Sequence, residues 1–282
     1  MKVFWTFAIT AVLSANCLAQ HHHVNAGAES FQAGSPLNFA NGAEYTTDSG
    51  FVLPFTLAAN APYTGLHLGS LSFTALSATP DTGGPSPGHA ALGSFIELQV
   101  VSLDGPAGGV FAFWEEDHDT GEPQKEFEVP VGTTTGTNSF ALSESDASSG
   151  SDPYGHIHGR RFTLTHAGLY TIGFRLLDTS LNGAANGPIH TPSEIYHFYF
   201  RAGPPKPAIH SINRTASEIQ LVVDTATTNT YQIETTTELR HTATNWQPFA
   251  APVPGTGGVH TFTDTQPNLP SKFYRIRIDS QP

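Results

Sequence analysis

Residues 160–178 read RRFTLTHAGLYTIGFRLLD, and the second half decides the fold class. Tyr170, Ile172, Phe174 and Leu176 recur at every second position, the period that a strand imposes and a helix does not. His166-Ala167-Gly168 reads as the turn of a hairpin joining this strand to the one before it. The same alternation returns in EIYHFYFRAG (194–203), which places Tyr196, Phe198 and Phe200 on one face. Outward from there, FVLPFTLA (51–58) is a strand whose Pro54 suits only an edge. LGSLSFTAL (68–76) sets Leu68, Ser70 and Ser72 against Gly69, Leu71 and Phe73. GSFIELQVVSL (93–103) and GVFAFWE (109–115) are parted by the turn residues DGPAG. No window carries a 3.6-residue period. With 27 glycines, 21 prolines and only 13% charged residues, the chain reads as all-β, a β-sandwich of immunoglobulin or jelly-roll type.

Gly203-Pro204-Pro205-Lys206-Pro207 interrupts this pattern, and a proline run of that density is extended and stiff. A second set of short strands follows: SEIQLVVDT, TYQIETTTEL, a segment around Trp246, VHTFTDT and KFYRIRI. The expected organisation is a leader at 1–19, a sandwich domain at 20–203, a linker at 204–207 and a small fibronectin-like β domain at 208–282.

The leader rests on MKVFWTFAITAVLSANCLAQ. Lys2 is followed by an apolar run to Leu13 and a small-residue stretch ending Cys17-Leu18-Ala19, the order of a secretory signal peptide. Cys17 is the single cysteine and leaves with the leader, so the mature chain has no thiolate to offer a metal and no thiol nucleophile. The formal net charge is −12, one unit more negative without Lys2. Such a surface repels nucleic acid and anionic lipid and favours cations. The expectation is a secreted or cell-envelope protein that neither binds nucleic acid nor inserts its mature chain into a membrane.

Three stretches in order resemble a family: Gly105-Pro106 through Trp114, then His156 and His158, then HAGLYTIGF at 166–174. Residues 95–200 are similar to the surface-anchored repeat domain of the choice-of-anchor M type, found in exported bacterial proteins. Some members of that family lie beside metal-uptake systems or under zinc-responsive control, so the resemblance implies metal capture or surface display. GRRF follows the histidines here where that family usually carries Asn-Trp, and the expectation from FYRIRIDSQP is a chain without that family's C-terminal anchor. The C-terminal segment is similar to a small accessory β domain at the ends of secreted proteins of environmental bacteria.

The residues with chemistry to offer are mostly histidines. On a strand, His156 and His158 share a face, and two imidazoles so placed can converge on Zn²⁺ or Cu²⁺ once a third ligand arrives. The stretch Gln20-His21-His22-His23 would put His21 and His23 on one face if extended. His190 sits in a loop stiffened by Pro188 and Pro192 and could deliver another imidazole, or be a structural turn. Trp114–Glu122 carries Glu116 and His118 in an acidic turn, able to supply a carboxylate or imidazole but otherwise a solvated loop. Arg160 and Arg161 read as partners of that turn or of Asp178. HExxH and phosphate-loop patterns are missing, which weighs against an enzyme.

The reading is a non-enzymatic protein binding a divalent transition metal, zinc before copper, with other surface proteins or glycans as further partners. Its alternatives are a metal-free structural or adhesive module, and a secreted copper-dependent or glycan-active enzyme. The last would need cleavage after Gln20, leaving a terminal His21 to form a copper histidine brace. Mass spectrometry of the exported protein is expected to find Gln20 at the mature N-terminus, and a retained leader would overturn the export reading.

Overall fold

The computed structural model describes residues 23–117, 119–157, 160–205, 208–239, 244–266 and 271–280. The leader, His21, His118 and His158 therefore lie outside the described residues. Among the described residues, twelve strands precede the proline run. They are β1 (His23–Ala28), β2 (Leu37–Phe39), β3 (Val52–Leu57), β4 (His67–Gly69), β5 (Ser72–Ala75) and β6 (Ile96–Asp104). Then come β7 (Val110–Glu116), β8 (Pro123–Pro130), β9 (Ser139–Ala141), β10 (Arg161–Leu164), β11 (Gly168–Asp178) and β12 (Tyr196–Ala202). Nine of them form one sheet in the order β8-β7-β10-β4-β3-β12-β11-β6-β9, and β2-β1-β5 form a second. The fold is an all-β sandwich, as the alternation indicated, and no helix among the described residues is long and apolar enough to cross a membrane.

The larger sheet changes partners at β3. Val52–Phe55 run parallel to β12, whereas Thr56 and Leu57 pair antiparallel with β4. Pro54, which cannot donate to a ladder, falls where β3 has one neighbour rather than two. So β3 is internal, and the edge expected from its proline is confined to half its length.

The core of these strands is dominated by phenylalanine. Phe113 stacks on Phe140 at 4.1 Å between centroids, Phe111 stacks on Phe162 at 5.5 Å, and Phe174 meets Phe198 edge-on at 5.5 Å. From the smaller sheet Val24, Ala26, Phe39 and Phe73 join the same cluster. Tyr170, Ile172, Phe174 and Leu176 are all fully buried, as their spacing predicts.

Three local expectations are corrected. The chain around His166-Ala167-Gly168 is not a hairpin: β10 pairs with β4 and β7, while β11 pairs with β12 and β6. The two strands have β4, β3 and β12 between them in the sheet; a period of two reports which face is apolar and not which strand lies alongside. The 68–76 stretch is two strands, β4 and β5, in different sheets. Strand β10 starts at Arg161, so His156 precedes it and does not open it.

Seven strands follow the proline run: β13 (Ala208–Arg214), β14 (Ile219–Asp224), β15 (Asn229–Thr236), β16 (Gln247–Pro248), β17 (Val253–Pro254), β18 (Val259–Asp264) and β19 (Phe273–Ser280). They make a β13-β14-β18 sheet and a second built around β15, with their own core of Leu221, Val223, Tyr231, Ile233 and Phe262. Val222 and Val259 cover the outer face of the large sheet at Val52, Leu169 and Tyr199. Beside them Arg201 donates to Asp224 at 2.9 Å and to the Gly257 carbonyl at 2.9 Å, both side chains nearly inaccessible.

Phe162 touches five aromatic rings of the core, those of Phe73, Phe111, Phe113, Phe140 and Phe200. Phe162→Ala is expected to cost about 3–5 kcal/mol, read as a lower midpoint of urea unfolding.

Candidate metal centre

Three neighbouring backbone segments bring two distant histidines together. Strands β1 and β5 run parallel with His23 opposite Ser72 and Asn25 opposite Thr74, so His23 and Thr74 share a face. On the other side of β5, Ala75 and Gly155 exchange backbone hydrogen bonds of 2.9 and 3.2 Å, which sets His156 beside Thr74. The result is a polar triad. Thr74 Oγ1 lies 2.8 Å from His156 Nδ1 and 3.3 Å from His23 Nδ1, and the two rings stack at 4.8 Å with 21° between their planes.

Each member is held from behind. Asn41 accepts from Asn25 N–H and donates to the His23 carbonyl, both at 2.8 Å, which fixes the start of β1. Glu144 Oε1 accepts the His156 N–H at 2.6 Å. Gly155 has no room for a side chain, since a Cβ there would stand 1.8 Å from the Leu142 carbonyl oxygen. Asp152 ties the approach to His156 onto the loop that leaves β5. Its carboxylate accepts from the N–H groups of Ala78 (2.9 Å), Thr79 (2.9 Å) and Tyr154 (3.0 Å), and from the hydroxyls of Thr79 and Thr82. Burial alone would raise the Asp152 pKa; these hydrogen bonds outweigh it and hold the carboxyl far below the usual carboxylate range.

The triad opens on a cleft of about 240 Å³, lined by Ser70, Phe73, Phe140, Arg160 and Arg161 along with the two histidines. Arg160 Nε donates to Glu115 Oε1 at 2.9 Å, and its guanidinium lies 5.2 Å from the Phe140 ring centre. Burial draws the Arg160 pKa down, with Glu115 opposing that shift. Asp178, the other partner considered for these arginines, instead accepts N–H groups of Phe95, Ser180, Ile189 and His190.

The chemistry of the triad follows from the inventory of Thr74. A hydroxyl has two lone pairs, so it can accept an Nδ1–H from both rings at once. Both Nε2 atoms then carry lone pairs, the tautomer in which histidine binds a metal, with the hydroxyl as the outer partner that fixes ring orientation.

The remaining candidates separate cleanly. His190 is fully buried and uses both ring nitrogens: Ala91 N–H donates to Nε2 at 2.9 Å, so Nδ1–H donates to the Ser35 carbonyl at 2.9 Å. With no lone pair left it is a structural residue, which corrects its place among the candidate ligands. Glu116 is exposed at the end of β7. The turn beyond it is organised by Asp117, whose Oδ1 accepts from the Asp119 and Thr120 N–H groups and the Thr120 hydroxyl. Among the described residues no group of three or more His, Cys, Asp or Glu converges on one point. Thr74 and Glu144 had no part in the sequence reading; alternation does put Thr74 opposite Leu71 and Phe73, but nothing there names its partners.

The chain matches no family model, no curated protein and no solved structure.

Asp152→Asn keeps the size of the side chain and removes an acceptor from three or more donors, so it is expected to destabilise by about 1–3 kcal/mol. Because the folded-state pKa lies below the unfolded one, this contribution is complete above about pH 4 and fades as pH falls below it. Urea unfolding at pH 7 and pH 3 should therefore show the wild-type advantage at the first and a smaller one at the second.

Proposed function

We propose that the protein is exported, is not an enzyme, and binds a divalent transition metal, zinc ahead of copper, at His23 and His156. The observation that carries this reading is the shared hydroxyl of Thr74, which sets two imidazoles from opposite parts of the chain side by side. Imidazole donors without thiolate suit zinc first. Two imidazoles bind loosely, and His21 and His158, each two residues along the chain from one member of the pair, are the further donors we assign. In this reading residues 20–203 form the binding domain, 208–282 an accessory fibronectin-like domain, and the cell envelope or medium is the working compartment. The resemblance of residues 95–200 to the choice-of-anchor M type, some members of which are under zinc-responsive control, supports the same direction.

A second reading has one observation in its favour. The His23–Thr74–His156 contacts also fasten β1 to the segment before β10, which a metal-free structural or adhesive module would use in the same way.

Metal analysis of tag-free protein separates the two. Zinc is expected at one equivalent after reconstitution, and to be lost in His23→Ala/His156→Ala. Thr74→Val, which removes the lone pairs and keeps the shape, should weaken zinc binding by about 10–100-fold. Zinc at 100 times its Kd should also stabilise the wild-type fold by about 2.7 kcal/mol. Metal-free protein whose melting temperature ignores added zinc leaves the structural module as the answer.

A further inference from the structure

The cleft beside the histidine pair holds a second group whose chemistry the metal reading does not use. Arg160 is 9% exposed, and among the described residues its guanidinium makes one hydrogen bond, Nε–H to Glu115 Oε1. A guanidinium has five N–H groups in a fixed plane, so four are left for the cleft or for water. The rings of Phe140 and Phe113 lie 5.2 and 5.9 Å from the guanidinium carbon, a cation–π contact that holds the group in place.

We propose that this cleft binds a small monocarboxylate with an apolar body, its carboxylate paired with the Arg160 edge and its body against Phe73, Phe140 and Phe162. Planarity is the first reason, since the fork of a guanidinium matches a carboxylate with two parallel hydrogen bonds. Charge is the second. Arg160 and Arg161 bring two positive charges to the wall, and Glu115 and Glu144, both acting on Arg160, balance them. A wall without surplus positive charge suits one negative charge better than the two of a phosphate. Shape is the third: about 240 Å³ with phenylalanine and leucine on its floor admits a body the size of a short acyl chain or one aromatic ring. This site goes beyond the metal reading and stands whether or not the histidines take an ion.

Benzoate is a direct probe, titrated into metal-free full-length protein and followed by NMR, with inorganic phosphate as the contrasting anion. Saturable benzoate binding is expected, with phosphate at least about tenfold weaker. Arg160→Lys keeps the charge and loses the fork, so it should weaken benzoate by about tenfold or more, the worth of one charge-assisted hydrogen bond. The same variant should bind zinc as the wild type does, so benzoate lost with zinc retained marks the carboxylate site by itself. A failed metal reading and a failed carboxylate site are thereby told apart. Should Arg160→Lys not fold, the Arg160 Nε–H resonance of the wild type carries the test, because a bound carboxylate must shift it. No saturation by about 10 mM benzoate, equal binding by Arg160→Lys, an unmoved Nε–H, or tighter phosphate each overturns the proposal.

Discussion

Two backbone hydrogen bonds between Ala75 and Gly155 bring the cleft into being. They form because residue 155 is a glycine: the Leu142 carbonyl oxygen occupies the space where any other residue would place its Cβ. With that contact made, His156 has little choice of position. Its N–H is taken by Glu144, its ring meets the hydroxyl of Thr74, and the chain beyond it enters β10 and the phenylalanine core. Side-chain chemistry at the site is thus a consequence of one place where the backbone comes unusually close to a neighbouring strand.

Carboxylates do much of the remaining stitching. With one cysteine in 282 residues the chain can form no internal disulfide, and its long loops need other fastenings. Asp152 gathers the loop after β5, and Asp178 gathers the N–H groups of Phe95, Ile189 and His190 from two separate loops. Asp224 receives Arg201 where the strands beyond residue 207 cover the large sheet. Each is an acidic group turned inward to meet donors, so the negative composition is partly a structural device and not wholly a surface charge.

Much of this was legible in the residues and some was not. Alternation identified the inward faces of β11 and β12 correctly, because burial on one side of a pleated strand leaves a period of two. Partnership left no such trace. Nothing in RRFTLTHAGLYTIGF says that β10 and β11 lie three strands apart. Tyr199 and Leu169 break the alternation by being apolar on the outward side, and the reason is that Val222 and Val259 pack on them. At the site, spacing pointed to His156 with its sequence neighbour, while the described contact is with His23. His190 looked like a ligand because its loop is rigid. In the structure its ring already serves as donor and acceptor.

The pair of histidines is separated from the hydroxyl they share by 51 residues on one side and 82 on the other. No short fragment of the chain contains the site. As the chain is threaded from its N-terminus, His23 emerges early and waits through the whole of β2 to β9 before its counterpart exists. Closing loops of that length is slow compared with local pairing, and the contact is secured only once Phe162, six residues further on, has entered the core. Occupancy of the cleft therefore reports completed assembly: a half-made or misfolded chain offers scattered imidazoles but no pocket.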